Sequence, residues 1–187
     1  GCKIFNEDIL KFDLEKNIKK NSIIIGNLPY NISSQILVKL IKFRKWLPKY
    51  KKLILMFQKE VADKILARFN STNYGRLSVL SASRLKITKS FNVSPNSFYP
   101  VPKVNSTVLV FEPFINEHFK VKDIENLEKV SLVFFSRKRK MINKAFQNLF
   151  ENPLDAAKKI NIDLSLRPNK LSENEYFQIT ELYEKQI

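Results

Sequence analysis

The stretch that most constrains this chain is a short apolar run ending in an unusual turn: Ile23-Ile24-Ile25, then Gly26, then Asn27-Leu28-Pro29-Tyr30. A continuously apolar, β-branched run of this length reads as a strand buried on both faces of a parallel sheet. Such strands usually end in generic polar turns. Here the proline fixes its own φ and biases Leu28 to extended geometry. A side-chain amide and an aromatic ring are therefore held at fixed spacing, ready to present a carbonyl and a stacking surface to a planar ligand.

The neighbouring segments set the fold class. Residues 4–14 read as the end of a short strand running into an acidic turn. Ser33 is placed to cap a helix, with Ile32 and Leu37 as a hydrophobic staple and Ile36, Leu37, Leu40 and Ile41 on one face. A basic connection leads to the apolar run 53–57, a second buried strand, and then to a helix over about 59–68. Strand, helix, strand, helix predicts an open α/β sheet, which binds ligands at the carboxyl ends of its strands. Asp8 and Asn27 both fall at such ends and are expected to share one crevice.

A helix is expected from Gly75 to about Ser83, and strands over 85–93 and 106–111, with Val108 and Val110 on one face. Between those strands lies a loop stiffened by Pro95, Pro100 and Pro102, with Phe98 near its start. From about residue 113 the pattern is helical. Asp123 can cap a helix reaching about Phe135, and Met141, Ile142, Ala145, Phe146, Leu149 and Phe150 mark an amphipathic second. Asn152-Pro153 opens a third, and Ser172 with Glu175 forms a capping box for the last. Two domains are predicted, 1–112 and 113–187.

The formal charge of +15 makes a polyanionic partner the physical expectation. The charge is unevenly placed: residues 1–112 hold 20 Lys+Arg against 7 Asp+Glu, and residues 113–187 hold 13 against 11. In the helical part, Arg137-Lys138-Arg139-Lys140 is expected at a helix start. Cations there oppose the macrodipole, which points to a role outside the fold such as phosphate contacts. The plainer alternative is a solvated lysine-rich surface that reflects coding bias.

One cysteine excludes an internal disulfide, and one histidine leaves no cluster for a metal. No apolar run approaches the ~20 residues that span a membrane, and no signal-peptide pattern opens the chain, so a cytoplasmic location is expected. Only Gly1, Gly26 and Gly75 are present, so no Gly-rich nucleotide loop exists among these residues.

The Asn-Leu-Pro-Tyr turn fits a site that methylates an exocyclic base nitrogen. The amine of adenine is a poor nucleophile because its lone pair is delocalised into the ring. Acceptors on both its hydrogens, the Asn27 side-chain carbonyl and the Leu28 main-chain carbonyl, favour a more pyramidal nitrogen and aim its lone pair. Tyr30 would stack on the extruded base and Phe98 could close the other side. On the motif alone, Asn27 as a turn residue and Tyr30 as a core ring stay open as alternatives.

Several stretches together resemble the ribosomal RNA adenine dimethyltransferases, in particular the branch acting on two adjacent adenines near the 3′ end of small-subunit rRNA. They are Glu7-Asp8-Ile9-Leu10, Gly26 to Ser33, Phe57-Gln58-Lys59-Glu60-Val61, Tyr74-Gly75-Arg76-Leu77-Ser78 and Phe98 to Ser106. In the helical part they are Phe135 to Lys140, Arg167-Pro168 and Leu171-Ser172. The resemblance implies a Rossmann-like class I methyltransferase sheet, here partial, followed by a small all-helical C-terminal domain that helps to dock pre-ribosomal small-subunit RNA. It implies S-adenosylmethionine as cofactor, with Asp8 accepting from the cofactor adenine amine, Ile9 beside it, and Asn27 bridging cofactor and target. It implies a catalytic turn Asn27, Leu28, Pro29 and Tyr30 with Phe98 as the second stacking ring. RNA contacts are expected from Lys103, Arg137, Lys138, Arg139 and Lys140.

The chain departs from that family at the cofactor side. The acidic Gly-x-Gly loop that holds the methionine moiety, and the acidic residue for the ribose, have no counterpart here. The expectation is a truncated, inactive or nearly inactive form whose exposed sheet edge invites self-association. The alternative is a non-catalytic RNA-binding or ribosome-assembly module on a methyltransferase-like fold.

Overall fold

The structure, a computed structural model, describes residues 2–187. Four strands form one sheet in the order β1-β2-β4-β3: β1 Ser22–Asn27, β2 Tyr50–Gln58, β3 Leu85–Val93 and β4 Ser106–Pro113. The crossover helix α2 (Ser33–Ile41) connects β1 to a parallel β2, as a parallel pair requires. β4 runs antiparallel to both β2 and β3. The predicted α/β class is therefore observed, with a mixed sheet.

The chain divides into two compact units. One contains residues up to 61 and 85–114, the other 62–84 and 115–187. Beyond the change of character near 113, the chain also sends 62–84 to the helical unit, including α4 (Arg76–Arg84) and most of α3 (Lys59–Leu66).

In the sheet unit, Leu53, Leu55 and Phe57 of β2 and Leu109 and Phe111 of β4 are fully buried. The apolar face of α2 (Ile36, Leu37, Leu40, Ile41) is buried too. Three expectations need correction. β1 is an edge strand, not one buried on both faces: Ile23 is 48% and Ile25 74% exposed. A continuous apolar run reports the hydrophobicity of a strand, not which neighbours flank it. Residues 2–7 form no strand; 8–12 turn into a short helix α1 (Leu14–Asn17) capped by Asp13. Ser33 is the first residue of α2 rather than its cap, and Ile32 holds the cap position without a side-chain bond. The Ser33 hydroxyl instead donates to the Tyr30 carbonyl at 3.2 Å.

In the helical unit, α5 (Ile124–Phe135) starts at Asp123, whose carboxylate accepts from the Glu125 amide. α6 (Asn143–Leu149) and α7 (Pro153–Lys159, with Asn152 at the cap) follow. α8 (Glu173–Glu184) carries the predicted Ser172–Glu175 capping box. Phe134 meets Phe146 and Tyr176 edge-on at 5.7 and 5.4 Å, and Phe135 stacks on Tyr176.

Two stretches noted in the sequence do structural work here. Tyr74 is fully buried with its ring edge-on to Phe135, Arg76 pairs with Glu128 at 3.0 Å, and Ser78 donates to the Lys64 carbonyl at 2.6 Å. Pro168 is buried and accepts from the Tyr176 hydroxyl at 2.8 Å. No helix among the described residues is long and apolar enough to cross a membrane.

Candidate active site

β1 ends at Asn27, and the chain leaves the sheet through a turn tied at several points. The Ile32 amide donates to the Pro29 carbonyl at 3.2 Å, and Ser33 holds the Tyr30 carbonyl. The Tyr30 phenol reaches across to Ser106, oxygen to oxygen at 2.7 Å. Ser106 is the fully buried first residue of β4, paired with Gln58 on one side and Val93 on the other. The ring is thus anchored at both ends.

Gly26 is required by close approach. A Cβ there would lie 2.7 Å from Leu28 Cδ2 and 3.1 Å from Leu55 Cδ2. Its absence lets the Leu28 side chain fold back over β1, where it is 9% exposed. Leu28 is held at the strand end by its own burial.

The second wall comes from the proline-rich loop. Ser94 accepts from the Asn96 amide, a 3₁₀ turn covers Pro95–Ser97, and the Phe98 amide closes it by donating to Pro95 at 3.1 Å. Asn27, Leu28, Tyr30 and Phe98 then line one cleft of about 290 Å³, together with Tyr99, Pro100 and Pro102. Four of the five residues predicted for this turn and its closing ring meet. The fifth, Pro29, is the exposed spacer between them. Tyr99, Pro100 and Pro102 were not predicted to line the site, although the stiffness of their loop was legible. Ser106 left no signal beyond its place at a strand start.

The arrangement offers a main-chain carbonyl and an exposed side-chain amide at a strand end, with two rings beside them. That suits a planar ligand with an exocyclic amine.

Asp8 and Ile9 are not among the residues lining this cleft. The expected shared crevice rested on Asp8 following a strand, and no strand forms there. One Asp8 oxygen accepts from the Leu10 amide at 2.9 Å, and the Asp8 carbonyl accepts from the Lys11 and Phe12 amides. The side chain is exposed, which leaves its other oxygen available to an amine donor. Lys39 of α2 fastens this turn, its ammonium donating to the carbonyls of Ile9, Leu10 and Phe12 at 3.1, 2.7 and 2.7 Å.

Lys103 is exposed next to Pro102 of the cleft. Arg137, Lys138, Arg139 and Lys140 do not open a helix, contrary to expectation. They form the turn after α5, whose last residue is Phe135, and α6 begins only at Asn143. Cations just past a helix C-terminus favour the macrodipole, so the charge-placement argument for a role outside the fold does not hold. Lys138 is partly committed within the protein, donating to the Thr72 carbonyl at 2.6 Å. Burial, and then the Lys64 charge, lower its pKa from the ordinary lysine value.

The sequence model of the family described as "Ribosomal RNA adenine dimethylase" matches residues 2–185. A protein named ribosomal RNA small subunit methyltransferase A from Pelagibacter ubique is 46% identical over 97% of this chain and 69% of its own length. One of the same name from the Wolbachia of Brugia malayi is 38% identical over 93% of this chain and 65% of its own. The chain therefore spans about two thirds of the length of these relatives. Among solved structures, a dimethyladenosine transferase from Plasmodium falciparum superposes with a TM-score of 0.78 at 28% identity, covering 98% of this chain and 73% of that one. A 23S rRNA methyltransferase, ErmE, shares the fold at a TM-score of 0.60 and 18% identity.

Proposed function

This chain belongs to the ribosomal RNA adenine dimethylase family, and from that premise we propose that its cleft receives an adenine of small-subunit rRNA for N6 dimethylation during ribosome assembly. The observation that carries the reading is the convergence of Asn27, Leu28, Tyr30 and Phe98 on one cleft. The Asn27 side-chain carbonyl and the Leu28 carbonyl would each accept one hydrogen of the adenine amine. Two such acceptors draw the nitrogen toward pyramidal geometry and orient its lone pair, so the gain comes from positioning and electrostatics. Tyr30, held by Ser106, and Phe98 would offset the unstacking of an extruded base, a cost of a few kcal/mol.

S-adenosylmethionine, when bound, supplies an electrophilic methyl group. Asp8 fits its adenine end, because an exposed carboxylate oxygen remains beyond the one that closes the turn. Ile9 would pack beside it and Asn27 would stand between cofactor and target. For the methionine end, the three glycines provide no Gly-x-Gly turn. Methyl transfer by these 187 residues alone is therefore expected to be slow or undetectable. That same feature supports a second reading, an RNA-binding module without catalysis.

The test uses an RNA that keeps the target adenine and bears, next to it, 2-aminopurine, whose fluorescence rises when that adenine leaves the stack. The rise should occur with this chain, be lost in Tyr30→Ala with Phe98→Ala, and persist in a variant of an exposed residue such as Lys158→Gln. No rise with this chain would refute the adenine reading. A rise, but no label transferred from the cofactor to immature small subunits, would favour the second reading.

A further inference from the structure

The loop between α2 and β2 carries Arg44, Lys45 and Lys49, and with Lys16 of α1 these residues surround a second cleft of about 480 Å³. Its two acidic residues are already committed. The Glu15 carboxylate accepts from the main-chain amides of Arg44 and Lys45 at 3.1 and 3.0 Å. Asp13 caps α1 and pairs with Lys16 at 3.2 Å. Glu15 thus shapes the loop through its backbone and leaves the Arg44 and Lys45 side chains exposed around the cleft. Lys49 reinforces the wall by donating to the Glu15 carbonyl at 3.0 Å.

The cleft sits before Tyr50, where β2 begins, whereas Asn27 of the base cleft pairs with Met56 near the other end of that strand. About 20 Å of strand separates them, so an RNA segment in this cleft is not the target base itself.

We propose that this basic cleft binds the phosphodiester backbone of RNA at a site separate from the base cleft. The inference rests on the reading of the chain as acting on RNA, but its test uses no methyl transfer and no base extrusion. Arg44 supplies a fork of donors suited to phosphate oxygens, and Lys45 and Lys49 supply point charges beside it. Four cations (Lys16, Arg44, Lys45 and Lys49) line the cleft against two carboxylates (Asp13 and Glu15), so its lining keeps a net positive charge.

The experiment measures binding of a fluorescein-labelled RNA to the full chain as a function of salt. The double variant Arg44→Gln with Lys45→Gln keeps the amides that hold Glu15, and circular dichroism checks its fold. It should bind about tenfold more weakly at low salt, with a log–log salt slope shallower by about 1.5, as expected for two lost phosphate contacts. Lys158→Gln with Lys185→Gln changes net charge equally and should weaken binding less than about twofold. Arg44→Lys with Lys45→Arg keeps the charge and should bind within about twofold of the parent.

Equal weakening in both neutralised variants would show a diffuse charge effect and overturn the proposal. No weakening in the cleft variant, or no RNA binding by the parent, would overturn it as well.

Discussion

The phenolic oxygen of Tyr30 lies 2.7 Å from the hydroxyl oxygen of Ser106, so the turn after β1 is joined to the first residue of β4. Ser106 is fully buried between β2 and β3, and the ring inherits a position set by three strands. Removing either hydroxyl leaves the other without its partner, at a cost of about 1 kcal/mol. Ser106→Ala and Tyr30→Phe are each expected to lower the unfolding free energy by about that much. The double variant should lose little more, because both remove one bond. Urea denaturation of the four proteins measures the coupling, and fully additive losses would show that the two hydroxyls act separately.

Lys39 spends its three ammonium protons on three carbonyls of the turn after Asp8. With every donor used, the side chain is a structural tie and not a phosphate ligand. Lys39→Met leaves three half-buried carbonyls to find water and should cost about 2 kcal/mol. The turn should loosen before the sheet does. Amide exchange at Lys11 and Phe12, which donate to the Asp8 carbonyl, should accelerate more than exchange in β2. Uniform acceleration across the sheet unit would point to global destabilisation instead. Lys39→Arg should recover part of the protection.

The sequence made the α/β order, most helix starts and the meeting of Asn27, Tyr30 and Phe98 legible, because those depend on local rules. The Ser172–Glu175 box and the Asp123 cap follow from residue types at fixed spacing. The convergence of Asn27, Tyr30 and Phe98 follows from a strand-end turn and a proline-stiffened loop. What escaped depends on partners distant in the chain. The exposure of Ile23 and Ile25 is set by β1 lying at the edge of the sheet. Ser106 lies 76 residues from Tyr30, and Lys39 lies 27 to 30 residues from the carbonyls it ties. No periodicity encodes either. The basic turn 137–140 was misread because a helix end and a helix start lie only a few residues apart there.

The Asp163 carboxylate accepts from the Ser165 amide at 2.8 Å and from its hydroxyl at 2.7 Å. These bonds, the backbone one first, lower its pKa from the ordinary value of 3.8. A carboxylate whose folded pKa is depressed lends stability that is complete above the unfolded value and lost as pH falls through the folded one. The parent should therefore exceed Asp163→Asn in thermal midpoint by a small, steady margin above about pH 5, and the margin should close below about pH 4. Thermal melts across that range read it directly. A margin that widened in acid would mean the bonds to Ser165 do not favour the charged form.

Among the described residues, β1 has β2 as its one partner in the sheet and leaves its other edge unpaired, with Ile25 74% and Ile23 48% exposed along the strand. An open edge with apolar side chains invites pairing with a second strand. Opposing it is the net charge of +15, which makes two copies repel at low ionic strength. Self-association of this chain is therefore expected to strengthen as salt screens the repulsion. RNA binding, driven by counterion release, should weaken over the same range. Light scattering at rising salt and concentration should show an increasing average mass for the parent and a monomer for Ile25→Lys, since an edge lysine blocks strand addition. A parent that stayed monomeric at high salt would show that the edge is already protected. If Ile25→Lys associated as strongly as the parent, the contact would lie away from β1.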